Sequence, residues 1–242
     1  MGTWEAMSRF GIVPTYILPA PSAVVLRLVQ SGHLLVTHTL VTALEILLGF
    51  LLAVVGGILF AVAVVYVRPF ERAVYPWLVA SQAIPKVAIG PLFVLWLGFG
   101  LTPKVVIAFL IAFFPVMIDT VIGLRSVDTD TVYLLRSMGA ARWKTFVYLN
   151  VPNALPNIFA GMKVAITLAV VGAVVGEFIG ANDGLGYVLI FANGTLDTTL
   201  IFAALTLISL LAVAFYLAVS VLEDKCISWH VSKRRDVNFY TM

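Results

Sequence analysis

Residues 128–163 read DTDTVYLLRSMGAARWKTFVYLNVPNALPNIFAGMK, a polar and basic stretch between two long apolar segments. Its LLRSMGAARW part favours helix, and Gly139 interrupts it at a cost of about 1 kcal/mol relative to alanine. A glycine at such a place lets the chain turn or lets another backbone approach closely. The following RWKTFVYLNV is amphipathic, so its aromatic residues can face a partner or the helix bundle while Arg142 and Lys144 stay in water. These aromatic residues are Trp143, Phe146 and Tyr148. An ordered polar segment of this length in an apolar chain indicates that another molecule docks on it.

The spacing within this stretch resembles the cytoplasmic loop of binding-protein-dependent ABC importer permeases. That loop carries Glu-Ala-Ala, three residues, Gly, nine residues and then Ile-x-Leu-Pro. Gly139, the nine-residue gap and Pro152 match the pattern, and Leu149 and Val151 replace Ile and Leu conservatively. Tyr133-Leu134-Leu135 stands in the place of Glu-Ala-Ala, a departure that the nitrate/sulfonate/taurine branch of these permeases tolerates.

Other segments resemble the same branch. They are LPAPSAV at 18–24, SQAIPKVAIGP at 81–91, FFPVMI at 113–118 and GEFIGANDGLGY at 176–187. The resemblance implies an all-α, MetI-like membrane helix bundle that imports a small solute: a sulfonate, taurine, nitrate or a vitamin-like heterocycle. It also implies three protein partners: an ATP-binding subunit, an extracytoplasmic solute-binding protein, and a second permease copy or close relative. ATP would be bound by the partner subunit, so this chain needs no cofactor and is not an enzyme.

The resemblance assigns the ATPase-coupling residues to the central loop. They are Arg136, Gly139, Ala140, Arg142, Trp143, Leu149, Pro152 and Pro156. We expect one or two short helices lying along the membrane and ended by Pro152 and Pro156. A rigid lever is required because a flexible loop would absorb the motion of the ATPase.

Composition independently indicates a polytopic membrane protein. Of the 242 residues, 62% are hydrophobic and 11% are charged, whereas soluble domains carry roughly 25% charged residues. The single cysteine, Cys226, excludes an internal disulfide and a multi-cysteine metal site. The net charge of +3 is too small and too dispersed for a nucleic-acid-binding face. No phosphate-binding loop, metalloprotease motif or serine-hydrolase motif is present.

Five apolar runs are long enough to cross a bilayer. They lie at about 36–67, 74–97, 104–124, 161–180 and 199–222. Lys and Arg concentrate after the first run, in the central loop and in the tail, which predicts that these segments are cytoplasmic and the amino terminus is outside. The family resemblance implies that this lipid bilayer is the bacterial inner membrane.

The predicted organisation is one permease domain with short flanking segments. Residues 1–35 form an extracytoplasmic or truncated segment, 36–224 form the permease domain with its coupling loop at 125–161, and 225–242 form a basic cytoplasmic tail. The resembled family has six spans, with a helix before LPAPS. Either that helix is lost here or the true start lies upstream.

Five residues are candidates for the translocation path. They are Ser81, Gln82, Pro85, Lys86 and Glu177. A lysine at the centre of a span costs about 2.5 to 3.5 kcal/mol, so Lys86 either faces a pathway or snorkels to the headgroups. Pro85 also interrupts this run, and carbonyls freed there could line a pore or gate.

Gly172, Gly176 and Gly180 recur every four residues, which places them on one helix face. Small residues at this spacing let two helices touch closely, at a subunit interface or the translocation path. Glu177 lies beside them, with packing favoured over a substrate or gating role. Asp119 is expected to pair with a basic loop residue such as Arg125 rather than to act in a proton relay.

The three histidines, His33, His38 and His230, lack metal-site spacing and are interpreted as interfacial or solvated. The alternative function is an ion-gradient-driven secondary transporter. It would require internal repeats and several paired intramembrane charges, which the sequence does not suggest.

Overall fold

The computed structural model describes residues 2–9, 14 and 16–227, and these residues form α-helices without β-strands. The helices are α1 (Gly2–Arg9), α2 (Pro21–Gln30), α3 (Gly32–Tyr66), α4 (Arg68–Ser81), α5 (Gly90–Leu97), α6 (Leu101–Arg125), α7 (Thr129–Ser137), α8 (Arg142–Thr145), α9 (Val151–Gly180), α10 (Leu185–Gly194) and α11 (Thr198–Cys226). A 3₁₀ turn, Lys86–Ile89, precedes α5, and a π turn, Phe146–Asn150, joins α8 to α9. The all-α class predicted from the sequence is confirmed.

Within the described part of the chain, four helical segments are long and apolar enough to span a membrane. They are Gly32–Tyr66, Leu101–Arg125, Arg142–Gly180 and Thr198–Cys226. The interrupted pair Arg68–Ser81 and Lys86–Leu97 makes five if it counts as one span. These segments agree with the five predicted apolar runs. Only 17% of the most apolar window of α11 is buried, as expected for a helix whose side chains face lipid.

The chain divides into two compact units. The first contains Met1–Leu52, Pro85–Ala112 and Ile166–Ala214, as far as these are described. Its apolar core brings α2, the start of α3, α10 and α11 together around Val24, Leu35, Leu185 and Leu200. Arg27 of α2 is tied to Asp197, just before α11, by an ion pair of 2.6 Å. This unit therefore carries its own core, and α2 is fixed to it by both packing and charge.

The second unit contains Ala53–Ile84, Phe113–Ala165 and Phe215–Met242, described to residue 227. Its core is formed by Leu124, Ala154 and Ile158, with apolar side chains of α3 and the π turn packed against them. Lys163 of α9 pairs with Glu223 of α11. The whole polar stretch, residues 128–163, lies in this unit.

The predicted basic tail, 225–242, lies outside the described residues from residue 228 onward, together with His230. The predicted domain boundaries stay a prediction.

Candidate functional site

The central polar stretch begins with a well-capped helix. The side chain of Asp128 accepts hydrogen bonds from the backbone N–H of Asp130 at 3.2 Å and from the hydroxyl of Thr131 at 3.1 Å. Such a cap satisfies donors that the first helical turn leaves unpaired. It fixes the start of α7.

Gly139 ends α7. Its φ of +82° lies in the left-handed region, which costs a side-chain-bearing residue roughly 1–2 kcal/mol. Gly139 N–H donates to the Arg136 carbonyl and Ala140 N–H to the Leu135 carbonyl, both at 3.0 Å. These two bonds define a Schellman C-cap. Of the two roles expected for this glycine, the structure shows the turn; a Cβ there would meet no described atom within 4 Å.

The expectation that Pro152 and Pro156 end short helices is wrong. Both prolines lie inside α9, and the helical run continues from Arg142 to Gly180. The π turn just before Pro152 explains how. Val151 N–H donates to the carbonyl of Phe146, five residues back, so the turn is wider than in an α-helix. This widening accommodates a residue that has no N–H to donate and whose ring crowds the preceding turn.

A groove of about 400 Å³ opens between the coupling residues and the end of α3. Its lining includes Tyr66, Arg136, Arg142, Trp143, Phe146 and Asn150. The Phe146 ring packs against two other aromatic rings of the lining. Its centroid lies 5.2 Å from the centroid of the Tyr66 ring and 5.7 Å from that of the Trp143 ring. Asn150 Nδ2 also donates to the Tyr66 hydroxyl at 2.5 Å. The structure thus brings three predicted coupling residues, Arg136, Arg142 and Trp143, onto one surface.

The same stretch exposes large apolar side chains. Tyr133, Met138, Trp143 and Tyr148 are each more than 60% exposed. They lie within a few residues of Arg136 or Arg142 along the chain, and this composition is typical of a protein contact surface, because aromatic residues, Met and Arg are enriched at interfaces. We call Tyr133, Arg136, Met138, Arg142, Trp143 and Tyr148 the coupling surface.

The predicted pairing of Asp119 with Arg125 is not seen. The Arg125 guanidinium instead contacts Glu71 of α4 at 2.5 Å, with both side chains partly exposed. Asp119 is half-buried and packs against Gly161. A Cβ added to Gly161 would lie 2.9 Å from the Cβ of Asp119. Arg125 therefore ties α6 to α4.

The glycine stripe of α9 makes the predicted close contact, and it does so within this chain. Cβ atoms added at Gly172 and Gly176 would lie 2.6 Å and 2.9 Å from the Cα atoms of Ala108 and Lys104 in α6. One added at Gly180 would lie 3.0 Å from the Phe99 ring. Within this chain, the stripe thus packs against α6 and the residues before it.

A buried charge network lies beside this contact. Lys104 Nζ is 2.6 Å from Glu45 Oε1 and 2.7 Å from Asp183 Oδ1. Lys104 and Glu45 are 3% and 0% exposed, whereas Asp183 is 57% exposed. Within residues 2–9, 14 and 16–227, no group of His, Cys, Asp and Glu is arranged to hold a metal ion. The ammonium of Lys104 is the cation of this cluster.

Glu177 is fully buried and caps α10. It accepts hydrogen bonds from the Thr42 hydroxyl at 2.6 Å and from Gly186 N–H at 2.5 Å. Thr42 in turn accepts from Leu185 N–H at 2.8 Å. His38 Nδ1 accepts from Gly184 N–H at 2.9 Å, a contact that the interpretation of His38 as interfacial or solvated did not include.

The contact of Lys104 with Glu45 and Asp183 is not predicted by the sequence motifs. Lys104 and Glu45 are 59 positions apart, and no spacing rule connects them. The sequence does hold one clue: a glutamate lies inside the first apolar run and a lysine lies at the start of the third. Charged groups within a membrane need an opposite charge or water, so these two residues could be expected to pair.

Ser81, Gln82, Pro85 and Lys86 lie at or beside the break between α4 and the 3₁₀ turn. Pro85 is the N-cap of that turn, and half-buried Lys86 is its first residue. Lys86 is thus at an interruption of the helix. The choice between a pathway lysine and a snorkelling lysine stays a prediction.

Residues 53–226 match the family described as the binding-protein-dependent transport system inner membrane component. The formylaminopyrimidine transport permease protein ThiX of Halalkalibacterium halodurans is 39% identical over 230 residues, covering 95% of this chain and 92% of ThiX. The riboflavin transport system permease protein RibX of Chloroflexus aurantiacus is 40% identical over 231 residues, covering 95% of this chain and 86% of RibX. Permeases named for aliphatic sulfonates and taurine also match, at lower identity.

A solved inward-facing structure of the methionine ABC transporter MetNI has a chain with the same fold. Its TM-score is 0.68 at 18% identity, covering 81% of this chain and 98% of that one. The chain therefore belongs to the binding-protein-dependent ABC importer permeases of the inner membrane. The predicted family, branch, MetI-like fold and inner-membrane location are confirmed, and the chain is a transport subunit of a family whose ATP hydrolysis takes place on a separate subunit.

Proposed function

We propose that this permease forms the path for a vitamin-like heterocycle and couples its import to a separate ATPase through the coupling surface. The observation that carries the coupling proposal is the groove lined by Arg136, Arg142 and Trp143. A helix cap fixes each end of α7, so the exposed aromatic and basic side chains are held in a defined arrangement. Pre-organised surfaces bind with a smaller loss of conformational entropy.

Continuity of the helical run explains how force on this surface reaches the membrane. Residues Arg142–Gly180 form one segment, in which α8 passes through the π turn into α9 without a loop. A push on Trp143 would therefore tilt α9 directly. This continuous lever replaces the short, proline-ended helices expected from the sequence and meets the same mechanical requirement better.

The substrate proposal rests on the names of two relatives. ThiX is named for a formylaminopyrimidine and RibX for riboflavin, both nitrogen heterocycles, and each is about two-fifths identical to this chain over nearly its whole length. We infer a heterocycle of this class over a sulfonate, taurine or nitrate.

The proposed partners are an ATP-binding subunit, an extracytoplasmic solute-binding protein, and a second permease copy or close relative. We further propose that the coupling surface faces the cytoplasm and residues 181–198 face the outside, in keeping with the distribution of basic residues.

Purification of the tagged chain from native membranes in mild detergent tests the proposal. Mass spectrometry of the accompanying proteins and small molecules should find an ATP-binding subunit and a binding protein loaded with a heterocycle. A loaded sulfonate, taurine or nitrate would overturn the substrate proposal alone. A chain that purifies without an ATPase, under conditions that keep a known importer intact, would overturn the coupling proposal.

A further inference from the structure

The two ion pairs of Lys104 differ sharply in the environment of their carboxylates. Glu45 is fully buried, so separating it from Lys104 would leave a buried carboxylate without water or a cationic partner. Asp183 is 57% exposed, so its carboxylate can be hydrated as soon as it leaves Lys104. Uncompensated buried charge is strongly destabilising, whereas a carboxylate that water can reach loses less when its ion pair breaks. The network therefore has one permanent contact and one that can be released.

Release of Asp183 would free a specific segment. Asp183 directly precedes three consecutive residues whose N–H groups donate to side chains: Gly184 to half-buried His38, Leu185 to buried Thr42, and Gly186 to buried Glu177. Leu185 is also fully buried in the core of the first unit. Lys104 thus holds the α9–α10 turn, residues 181–184, against α3 and α6 from its exposed end.

The packing leaves the turn little freedom while it is closed. A Cβ added at Gly184 would collide with the Glu177 carboxylate, and one at Gly186 would lie 2.7 Å from Glu177 Oε2. Gly184 also has a φ of +104°. The turn therefore either stays packed as seen here or moves away as a unit. Any intermediate position would lose all three hydrogen bonds donated by Gly184, Leu185 and Gly186.

We propose that Lys104 is a positioning residue for transport: it keeps the α9–α10 turn seated, and the turn is released during the transport cycle when Asp183 leaves Lys104 while Glu45 stays. The proposal rests on the proposed function, in which residues 181–198 face the outside. It gives the buried lysine a role that packing alone does not require, because one carboxylate would suffice to neutralise it.

Hydrogen exchange of the purified complex in lipid nanodiscs, followed by mass spectrometry of the peptide covering 184–186, tests the holding step. Asp183→Asn should speed exchange of these three amides about tenfold, since a charge-assisted contact is lost. Asp183→Glu keeps a carboxylate at this exposed position, so the exchange of these amides should stay within about twofold of the wild-type rate. Asp197→Asn removes an aspartate of the next turn, paired with Arg27, and should leave these amides unchanged.

The dependence of amide exchange on Mg-ATP tests whether the turn is released during the transport cycle. In the wild-type complex, addition of Mg-ATP should raise exchange at 184–186 while the amides of α6 around Lys104 stay protected. In Asp183→Asn, exchange should already be high and should no longer respond to Mg-ATP. A static role for Lys104 would give no nucleotide dependence in the wild type, and unchanged protection in Asp183→Asn would show that Lys104 does not hold the turn. Either result overturns the proposal.

The sidedness on which the proposal rests is tested separately. Asn182→Cys in a Cys226→Ser background should react with a membrane-impermeant maleimide added outside intact cells. Reaction only after permeabilisation would overturn the proposed orientation, and with it the assignment of the turn to the outer side, whatever the exchange experiments show.

Discussion

The backbone N–H of Ala140 donates to the carbonyl of Leu135 at 3.0 Å, across Gly139. This bond closes α7 and requires the positive φ at Gly139. Gly139, which the sequence predicts to interrupt the helix, is therefore the residue at which the chain turns toward Arg142. The coupling surface depends on that turn, because Arg136 lies before it and Arg142 after it.

Gly139→Ala should therefore weaken coupling although nothing crowds the site. The expected cost is about 1 kcal/mol of helix-cap stability, with reduced stimulation of the ATPase at unchanged membrane insertion. Gly194→Ala is the matched control, since a Cβ there also meets no described atom within 4 Å but the φ is not positive. Equal ATPase stimulation in the two variants would contradict the role of the turn.

Trp143→Ala should reduce association with the ATP-binding subunit by roughly 30-fold, the loss of about 2 kcal/mol typical of an aromatic hot spot. Trp143 is 70% exposed and lines the groove. Trp77 is 77% exposed and lies on α4, away from the coupling surface in sequence, so Trp77→Ala should leave association unchanged. Affinity measured by titrating purified ATPase onto the permease in nanodiscs distinguishes a docking residue from a generally exposed tryptophan.

Gly172→Ala should destabilise the packing of α9 on α6 by about 1–3 kcal/mol, because the added Cβ would lie 2.6 Å from the Ala108 Cα. A lower melting temperature in mild detergent is the expected result. Gly32→Ala, at a helical site with open space, should melt like the wild type. Identical melting of all three proteins would show that α6 and α9 can move apart at no cost.

Much of this fold is predictable from the sequence because the bilayer imposes simple length and composition rules. The apolar run at 104–124 becomes Leu101–Arg125, and the run at 199–222 becomes Thr198–Cys226. The close packing of the glycine stripe of α9 is equally predictable, since a four-residue period places the glycines on one helix face. What the period does not reveal is the partner helix, and the structure assigns that to α6.

The candidate site is less predictable because it depends on pairings between distant segments. Pro152 reads as a helix terminator, and only the π turn that precedes it shows why α9 continues. Glu45 and Lys104 each read as isolated charges in apolar runs. Their contact at 2.6 Å depends on how α3 and α6 are positioned, which propensity and spacing do not specify.

Lys86→Met tests the one basic residue at the helix interruption. If Lys86 contributes to the path, the variant should assemble normally with the other subunits but import the co-purified solute at least tenfold more slowly. Lys86→Arg keeps the charge and should retain most of the uptake if charge is what matters. Unchanged uptake in Lys86→Met would favour the snorkelling interpretation.

Glu45→Gln should destabilise the protein far more than Glu71→Gln, although each removes one carboxylate from an ion pair with a basic residue of α6. Glu45 is buried against buried Lys104, so loss of its charge should cost about 3 kcal/mol, the lower end of the range because Asp183 still contacts Lys104. Glu71 and Arg125 are partly exposed, and their pair is worth at most about 1 kcal/mol. Melting temperatures and detergent-extracted yields of the two variants measure the difference. Comparable losses would show that water reaches Lys104, and the distinction between its permanent and releasable contacts would then fail as well.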